Sequence, residues 1–278
     1  MTHLLPTCFW YDGDLVQAAS LNLEIDQPGL IYGATVFTTL RVHQNSMEHP
    51  LTNWAGHRRR LQSSLQSLGW RSPQWGRILE GVNVLKEAYP VLRITVFPDG
   101  REWITGRLLP SDLQERQRHG VLAWLTDDVS RYQRSLPSHK TGNYLGCWLA
   151  MQAARQRGAA EAILRNDSGN WLETSTGNLW GWSDGHWRTP PLESGILPGL
   201  ARAQLIQGLE LLSQSVIETP WTPQQVLRFE AIAYSNSVVQ LIPIHTILDD
   251  GTKLEYSPYH KSFEILWAGY LNASGAKF

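Results

Sequence analysis

Residues 161–190 read EAILRNDSGNWLETSTGNLWGWSDGHWRTP, and their pattern decides the fold class. Two β-prone runs, EAILRN and NWLET, flank Asp167-Ser168-Gly169; two more, NLWGWS and HWRTP, flank Asp184-Gly185. Asp-Gly and Ser-Gly turns accept the positive φ that a tight hairpin needs. A turn that short returns the chain only to an antiparallel neighbour, because a parallel strand needs a long crossover.

The same signal recurs outward from this stretch. CFWYDGDLVQ (8–17) alternates about Asp12-Gly13, and VLRITVF (91–97), PDG and REWITGRLL (101–109) read as strand, turn and returning strand. VLAWL (121–125) and IAYSN (232–236) are strand-like. Helices are expected over 52–69, where Thr52 or Asn53 caps a Leu61, Leu65, Leu68 stripe that Gly69 closes, and from Ser72-Pro73 to about Ala88. Further helical stretches are 141–157, Gly199 to Ser213, and 258–272. Helices and hairpins are mixed without the regular strand–helix alternation of a doubly wound sheet, so the class is α+β with mixed and antiparallel sheets. The polar stretch PSDLQERQRHG (110–120) divides the chain into a smaller domain, 1–115, and a larger one, 120–278.

Composition excludes several functions. Lys and Arg number 24 against 25 Asp and Glu, so the basic excess of a phosphate-neutralising nucleic-acid binder is missing. No apolar run approaches the ~20 residues of a membrane span, and the start, MTHLLPTCFWYDGD, lacks the basic opening of a signal peptide. Two cysteines, Cys8 and Cys147, cannot build a disulfide framework, which fits a cytoplasmic protein. The sequence carries no G-x-x-x-x-G-K-[ST], no G-x-G-x-x-G after a strand, no G-x-S-x-G and no H-E-x-x-H. No metal site is expected. The run His57-Arg58-Arg59-Arg60 fans around a helix and reads as a solvated face with one inward arginine.

Lysine is scarce: Lys86, Lys140, Lys253, Lys261 and Lys277 are all there are. Lys140, in SHKTGNYLG, precedes a helix and is either an exposed charge or an amine aimed into a cleft, where desolvation would make it nucleophilic. Glu173, in NWLETSTGNLW, ends a strand-like run and is either a turn residue or a carboxylate available to a ring nitrogen. Gly195-Ile-Leu-Pro-Gly199-Leu200-Ala201-Arg202 enters a helix, whose first N–H groups form an anion seat; Arg60 can add a charge-assisted contact. A lysine, an acid and a phosphate seat are what pyridoxal 5'-phosphate asks of a protein.

These segments resemble, in order, those of fold-type IV pyridoxal-phosphate enzymes: DQPGLIYGATVFTTLRV, HRRRLQSSLQSLG, HKTGNYL, EAILRN…LETSTGNLW, GILPGLAR and AYSNSVVQLIPI. The class includes branched-chain and D-amino-acid aminotransferases and 4-amino-4-deoxychorismate lyase, and the resemblance spans about residues 8–248. It implies a two-domain D-amino-acid-aminotransferase-like fold, a small-molecule substrate and a homodimer. By position it assigns Lys140 as the cofactor-binding catalytic lysine and Glu173 as the pyridine-nitrogen partner. It places Arg60 on the phosphate together with the N–H groups of Leu200 and Ala201, adds Ser237 as a further phosphate contact, and sets Asn178 behind them. Many relatives carry Thr where Ala201 stands.

The segment Val36-Phe37-Thr38-Thr39-Leu40-Arg41-Val42 resembles the lyase, since the aminotransferases usually carry Glu at the position of Thr38. The resemblance therefore implies a catalytic Thr38 hydroxyl and elimination of pyruvate, with transamination as the alternative. The lyase's usual serine-arginine-glycine turn is replaced by Val96-Phe97-Pro98-Asp99-Gly100-Arg101, which leaves Arg101, or else Arg107, to meet a substrate carboxylate.

Overall fold

The computed structural model describes residues 8–273, so the first half of the start read above, MTHLLPT, lies outside them. The chain forms two compact units: residues up to Pro110 together with His139–Asn143, and Ser111–Ser138 together with Tyr144 onward. The chain passes from the first unit to the second at Pro110, and most of the polar stretch 110–120 is a helix, Leu113–His119. No feature of the sequence announces that residues 139–143 return to the first unit.

The first unit contains β1 (Phe9–Tyr11), β2 (Asp14–Val16), α1 (Pro28–Ile31), β3 (Val36–Arg41), α2 (Trp54–Ser67), α3 (Trp75–Leu85), β4 (Val91–Val96) and β5 (Glu102–Arg107). Its sheet runs β2-β1-β5-β4-β3, antiparallel throughout. Asp12 and Gly13 both take positive φ, 49° and 95°, which the β1–β2 turn requires. Asn53 caps α2, its Oδ1 accepting from Gly56 N at 3.1 Å. One face of α2 buries His57, Leu61, Ser64 and Leu65 and packs against β3. Leu61 and Leu65 join Val36, Leu40, Ile78, Val82, Leu92, Ile94 and Ile104 in the core. Each such side chain contributes about 1.5–3 kcal/mol by burial, and that packing fixes α2 over β3.

The second unit contains α4 (Leu113–His119), β6 (Val121–Leu125), α5 (Val129–Tyr132), α6 (Leu145–Gln156), β7 (Glu161–Arg165), β8 (Trp171–Thr174), β9 (Asn178–Ser183), β10 (His186–Thr189), α7 (Leu200–Leu211), β11 (Val216–Glu218), α8 (Pro223–Val226), β12 (Ala231–Asn236), β13 (Gln240–Asp249), β14 (Thr252–Glu255) and α9 (Ser262–Asn272). Strand order is β11-β10-β9-β12-β13-β6-β7-β8, with β14 on β13. A further β8–β9 pairing, Glu173 opposite Asn178, joins β8 back to β9, so the run from β9 to β8 closes on itself. The β6–β7 and β6–β13 pairs are parallel and the two hairpins expected from residues 161–190 are antiparallel, which makes the sheet mixed. Among the described residues, no helix is long and apolar enough to cross a membrane.

Candidate active site

In the first unit the lysine-bearing segment is a strand addition. β3 ends its sheet, and residues 140–142 occupy its free edge: Phe37 N donates to Lys140 O at 2.8 Å, and Gly142 N donates to Thr35 O at 2.7 Å. Val36 and Thr141 form an antiparallel bridge. A Cβ on Gly142 would overlap the Thr35 hydroxyl, so only glycine permits this approach. The helix expected from residue 141 accordingly starts at Leu145. Next to the lysine, His139 spans two serines of α2, with Nδ1 3.1 Å from Ser64 Oγ and Nε2 3.3 Å from Ser67 Oγ. Lys140 Nζ lies 4.8 Å from the centre of the Phe37 ring, which the Arg93 guanidinium also approaches at 3.7 Å.

Thr38 faces the core side of β3 and is fully buried. Its hydroxyl stands between two residues of α2, accepting from an Arg60 guanidinium nitrogen at 2.6 Å and lying 2.6 Å from His57 Nδ1. The 57–60 run therefore turns two side chains inward rather than one, while Arg58 and Arg59 are exposed. Positions three apart share a helix face, and that spacing was the available signal for His57. Burial first, then the positive charges of Arg60 and Lys140, hold the His57 imidazole well below its ordinary pKa, so it is neutral at pH 7.

The second unit gathers the acidic and amide groups. Glu173, buried at the end of β8, pairs with Arg134 at 2.6 Å through Oε1 and accepts Leu197 N at 3.1 Å through Oε2. Sequence reading did not find Arg134, which sits in an ordinary-looking polar loop 39 residues away. Asn178, opposite Glu173, donates to Leu197 O at 2.9 Å. Its Oδ1 occupies the space a Cβ on Gly199 would need. Gly199 is the N-cap of α7 and offers no side chain, so the N–H groups of Leu200 and Ala201 open the helix with no intrahelical acceptor. Ser237 lies in the turn after β12, where Asn236 Oδ1 accepts from Val238 N and Val239 N at 2.9 and 3.0 Å. Asn236 also reaches Thr176, and the Ser175 and Thr176 hydroxyls donate to the buried Glu161 carboxylate at 2.7 and 2.6 Å. Tyr144 donates to Ser175 O at 3.2 Å, and burial pushes its hydroxyl well above the usual phenol pKa.

Arg101 is engaged within the first unit. It is paired with Glu24 at 3.0 Å and Asp99 at 2.7 Å and donates to the Tyr11 hydroxyl, so its charge is already compensated. Arg107 ends β5, exposed.

The class IV aminotransferase family matches residues 35–247, about three quarters of the chain. The chain belongs to that family. It is 22% identical to the aminodeoxychorismate lyase of Vibrio harveyi over 263 residues, covering 89% of this chain and 94% of that protein. To the branched-chain-amino-acid aminotransferase of Escherichia coli K12 it is 23% identical over 270 residues, covering 86% and 84%. Its fold matches the branched-chain aminotransferase of Thermoproteus uzoniensis with norvaline at a TM-score of 0.80, with 22% identity and 98% and 96% of the two chains covered. A hypothetical aminotransferase from Mycobacterium tuberculosis in its PLP-bound form also gives 0.80, at 19% identity over 97% and 100% of the chains. The fold is thus the α+β fold-type IV architecture, and the family's cofactor is pyridoxal 5'-phosphate. Each unit by itself carries groups chemically suited to that cofactor: the first a lysine beside an aromatic ring, the second a buried carboxylate and an uncapped helix start beneath a glycine.

Proposed function

We propose that this class IV enzyme is a 4-amino-4-deoxychorismate lyase, releasing pyruvate and leaving 4-aminobenzoate. The observation that carries the reading is the Thr38 hydroxyl, set between Arg60 and His57 at the position where the aminotransferases usually hold a carboxylate. The charges acting on His57 are both positive, Arg60 and Lys140, and a neighbourhood of that sign suits a phosphate and a substrate that itself carries carboxylates.

In this reading Lys140 would hold the cofactor, and its amine would take the ring proton. Glu173, fixed by Arg134 and Leu197 N, would meet the pyridine nitrogen; Arg60, Leu200, Ala201 and Ser237 would receive the phosphate, and Asn178 braces the entry to α7. When bound, pyridoxal phosphate supplies an electron sink that acidifies that ring carbon. Loss of the ring proton and cleavage of the enol-ether C–O bond give the aromatic amine and pyruvate enol, which takes up a proton to become pyruvate. The Thr38 hydroxyl serves this path through Arg60, which it holds, rather than as an exposed proton donor. Arg101 is engaged by Glu24 and Asp99, so binding a substrate carboxylate requires exchange of those partners.

The test supplies aminodeoxychorismate with no keto acid and follows 4-aminobenzoate and pyruvate in equal amounts. Transamination of a branched-chain or D-amino acid with 2-oxoglutarate, with no 4-aminobenzoate formed, would instead establish the aminotransferase reading that the Escherichia coli relative favours.

A further inference from the structure

We propose that His57 is the positioning residue of the phosphate arginine: its imidazole accepts the Thr38 proton and so holds a Thr38 lone pair against Arg60. The inference rests on the reading of Arg60 as a phosphate contact.

The polarity follows from counting hydrogens. A guanidinium only donates, so Thr38 Oγ1 must accept from Arg60 across the 2.6 Å contact. The hydroxyl has one hydrogen, and its other neighbour in a fully buried setting is His57 Nδ1, also at 2.6 Å. If Nδ1 carried a proton, two donors would converge on one oxygen and the threonine hydrogen would have no acceptor in this triad. The consistent arrangement is Arg60 N–H to Thr38 O, and Thr38 O–H to a bare Nδ1, with the imidazole hydrogen on Nε2.

Burial is what maintains this state. His57 is 1% exposed, and the neighbouring charges, Arg60 and Lys140, both oppose a positive charge on the ring. Protonation would turn Nδ1 from acceptor to donor and rotate the hydroxyl hydrogen toward the guanidinium. The geometry is set by the backbone: His57 and Arg60 are one turn apart on α2, and the packing of α2 on β3 brings Thr38 between them. The imidazole would act on the phosphate only through Thr38 and Arg60, at two removes.

The experiment compares wild type, His57→Leu, His57→Asn, Thr38→Val and Arg60→Ala, each freed of cofactor, for binding of pyridoxal 5'-phosphate and of pyridoxal. His57→Leu and Thr38→Val should weaken pyridoxal phosphate about tenfold or more while changing pyridoxal by no more than about threefold. His57→Asn, whose Oδ1 can take the place of Nδ1, should recover most of the loss. A general packing defect would weaken both ligands alike and gain nothing from asparagine, which would overturn the proposal. If Arg60→Ala does not change the phosphate preference, the reading of Arg60 fails, and the positioning role with it. If Arg60→Ala abolishes the preference but His57→Leu and Thr38→Val keep it, only the positioning role fails. Nitrogen-15 spectra of the wild-type imidazole supply a readout independent of any ligand: Nδ1 of His57 should be unprotonated, and a protonated Nδ1 overturns the relay.

Discussion

Arg134 and Glu173 form a buried ion pair, guanidinium to carboxylate at 2.6 Å, with side chains only 7% and 6% exposed. Leu197 N holds the second carboxylate oxygen. Isolated from a partner, either charge would remain in a poorly solvated site, and removing one member of such a pair costs about 3–5 kcal/mol. Arg134→Leu should therefore lower the free energy of unfolding by an amount of that order, read as a fall in the urea midpoint. Glu173→Gln preserves shape but turns an N–H toward Arg134 or Leu197 N, both donors, so it should lose stability as well as activity, the latter by roughly 10²-fold or more. A midpoint unchanged in both variants would show that the pair is solvated and that Glu173 is an ordinary turn residue.

Borohydride reduction of the cofactor-loaded protein should place the covalent adduct on Lys140. The competing amines are few, since no other lysine lies between Lys86 and Lys253. Lys140→Ala should abolish turnover, because one amine both holds the cofactor and moves the proton. Peptide mapping that recovers the adduct on Lys86 or Lys253 contradicts the assignment.

The fold was most legible where local chemistry decides it. Asp12-Gly13 and Asp184-Gly185 announce hairpins, and all four residues take positive φ in the structure. β13 was not legible, because Pro243 argues against a central strand. The strand accommodates it by pairing Pro243 with Ala233 of β12, while the ladder to β6 starts one residue later, at Ile244, and is shifted before Thr246. The site shows the same division. Lys140, Glu173 and the entry to α7 stand out as motifs, whereas the partners that orient them are contacts across the chain. Residues 141–144 have a helical pattern, yet Thr141 and Gly142 belong to a segment captured by the edge of β3, an interaction more than 100 residues long-range that periodicity does not encode. Arg101 looked like an available cation for the same reason, since Glu24 lies 77 residues away.

Stability should rise with pH between about 4 and the ordinary histidine value. Burial, then Arg41 and the stacked ring of His49, push His43 down from 6.5 to about 4. In that window the unfolded chain binds more protons than the folded one, so stability is complete above the unfolded pKa and is lost on acidification. His57 acts with the same sign. Glu161, raised from 4.5 by burial, acts oppositely just above that value and flattens the lower end. Urea midpoints at about pH 7.5 and about pH 5 should differ in wild type, and His43→Phe should narrow the gap. The substitution also removes a buried Nε2 that has no hydrogen-bond partner. An identical gap in His43→Phe would exclude His43 as a source.

Two glycine-to-alanine changes should move stability in opposite directions. Gly76 lies near the start of α3, and a Cβ there would meet nothing within 4 Å. Alanine should stabilise by about 0.5–1 kcal/mol, since glycine in a helix is that much less favourable. Gly208 has the same propensity argument but a different neighbour. It sits where α7 crosses α9, and an added Cβ would overlap the Gly269 carbonyl, a backbone atom that cannot rotate away. Overpacking of this kind costs about 1–3 kcal/mol or more, which exceeds the propensity gain. Gly208→Ala should therefore lower Tm by several degrees, given roughly 2–4 °C per kcal/mol for a chain of this size. The displacement would be transmitted along α7 toward Leu200 and Ala201, so the variant should also hold pyridoxal phosphate less tightly, while Gly76→Ala should not. Equal, positive shifts in Tm for both variants would mean that the α7–α9 crossing is loose enough to absorb a methyl group.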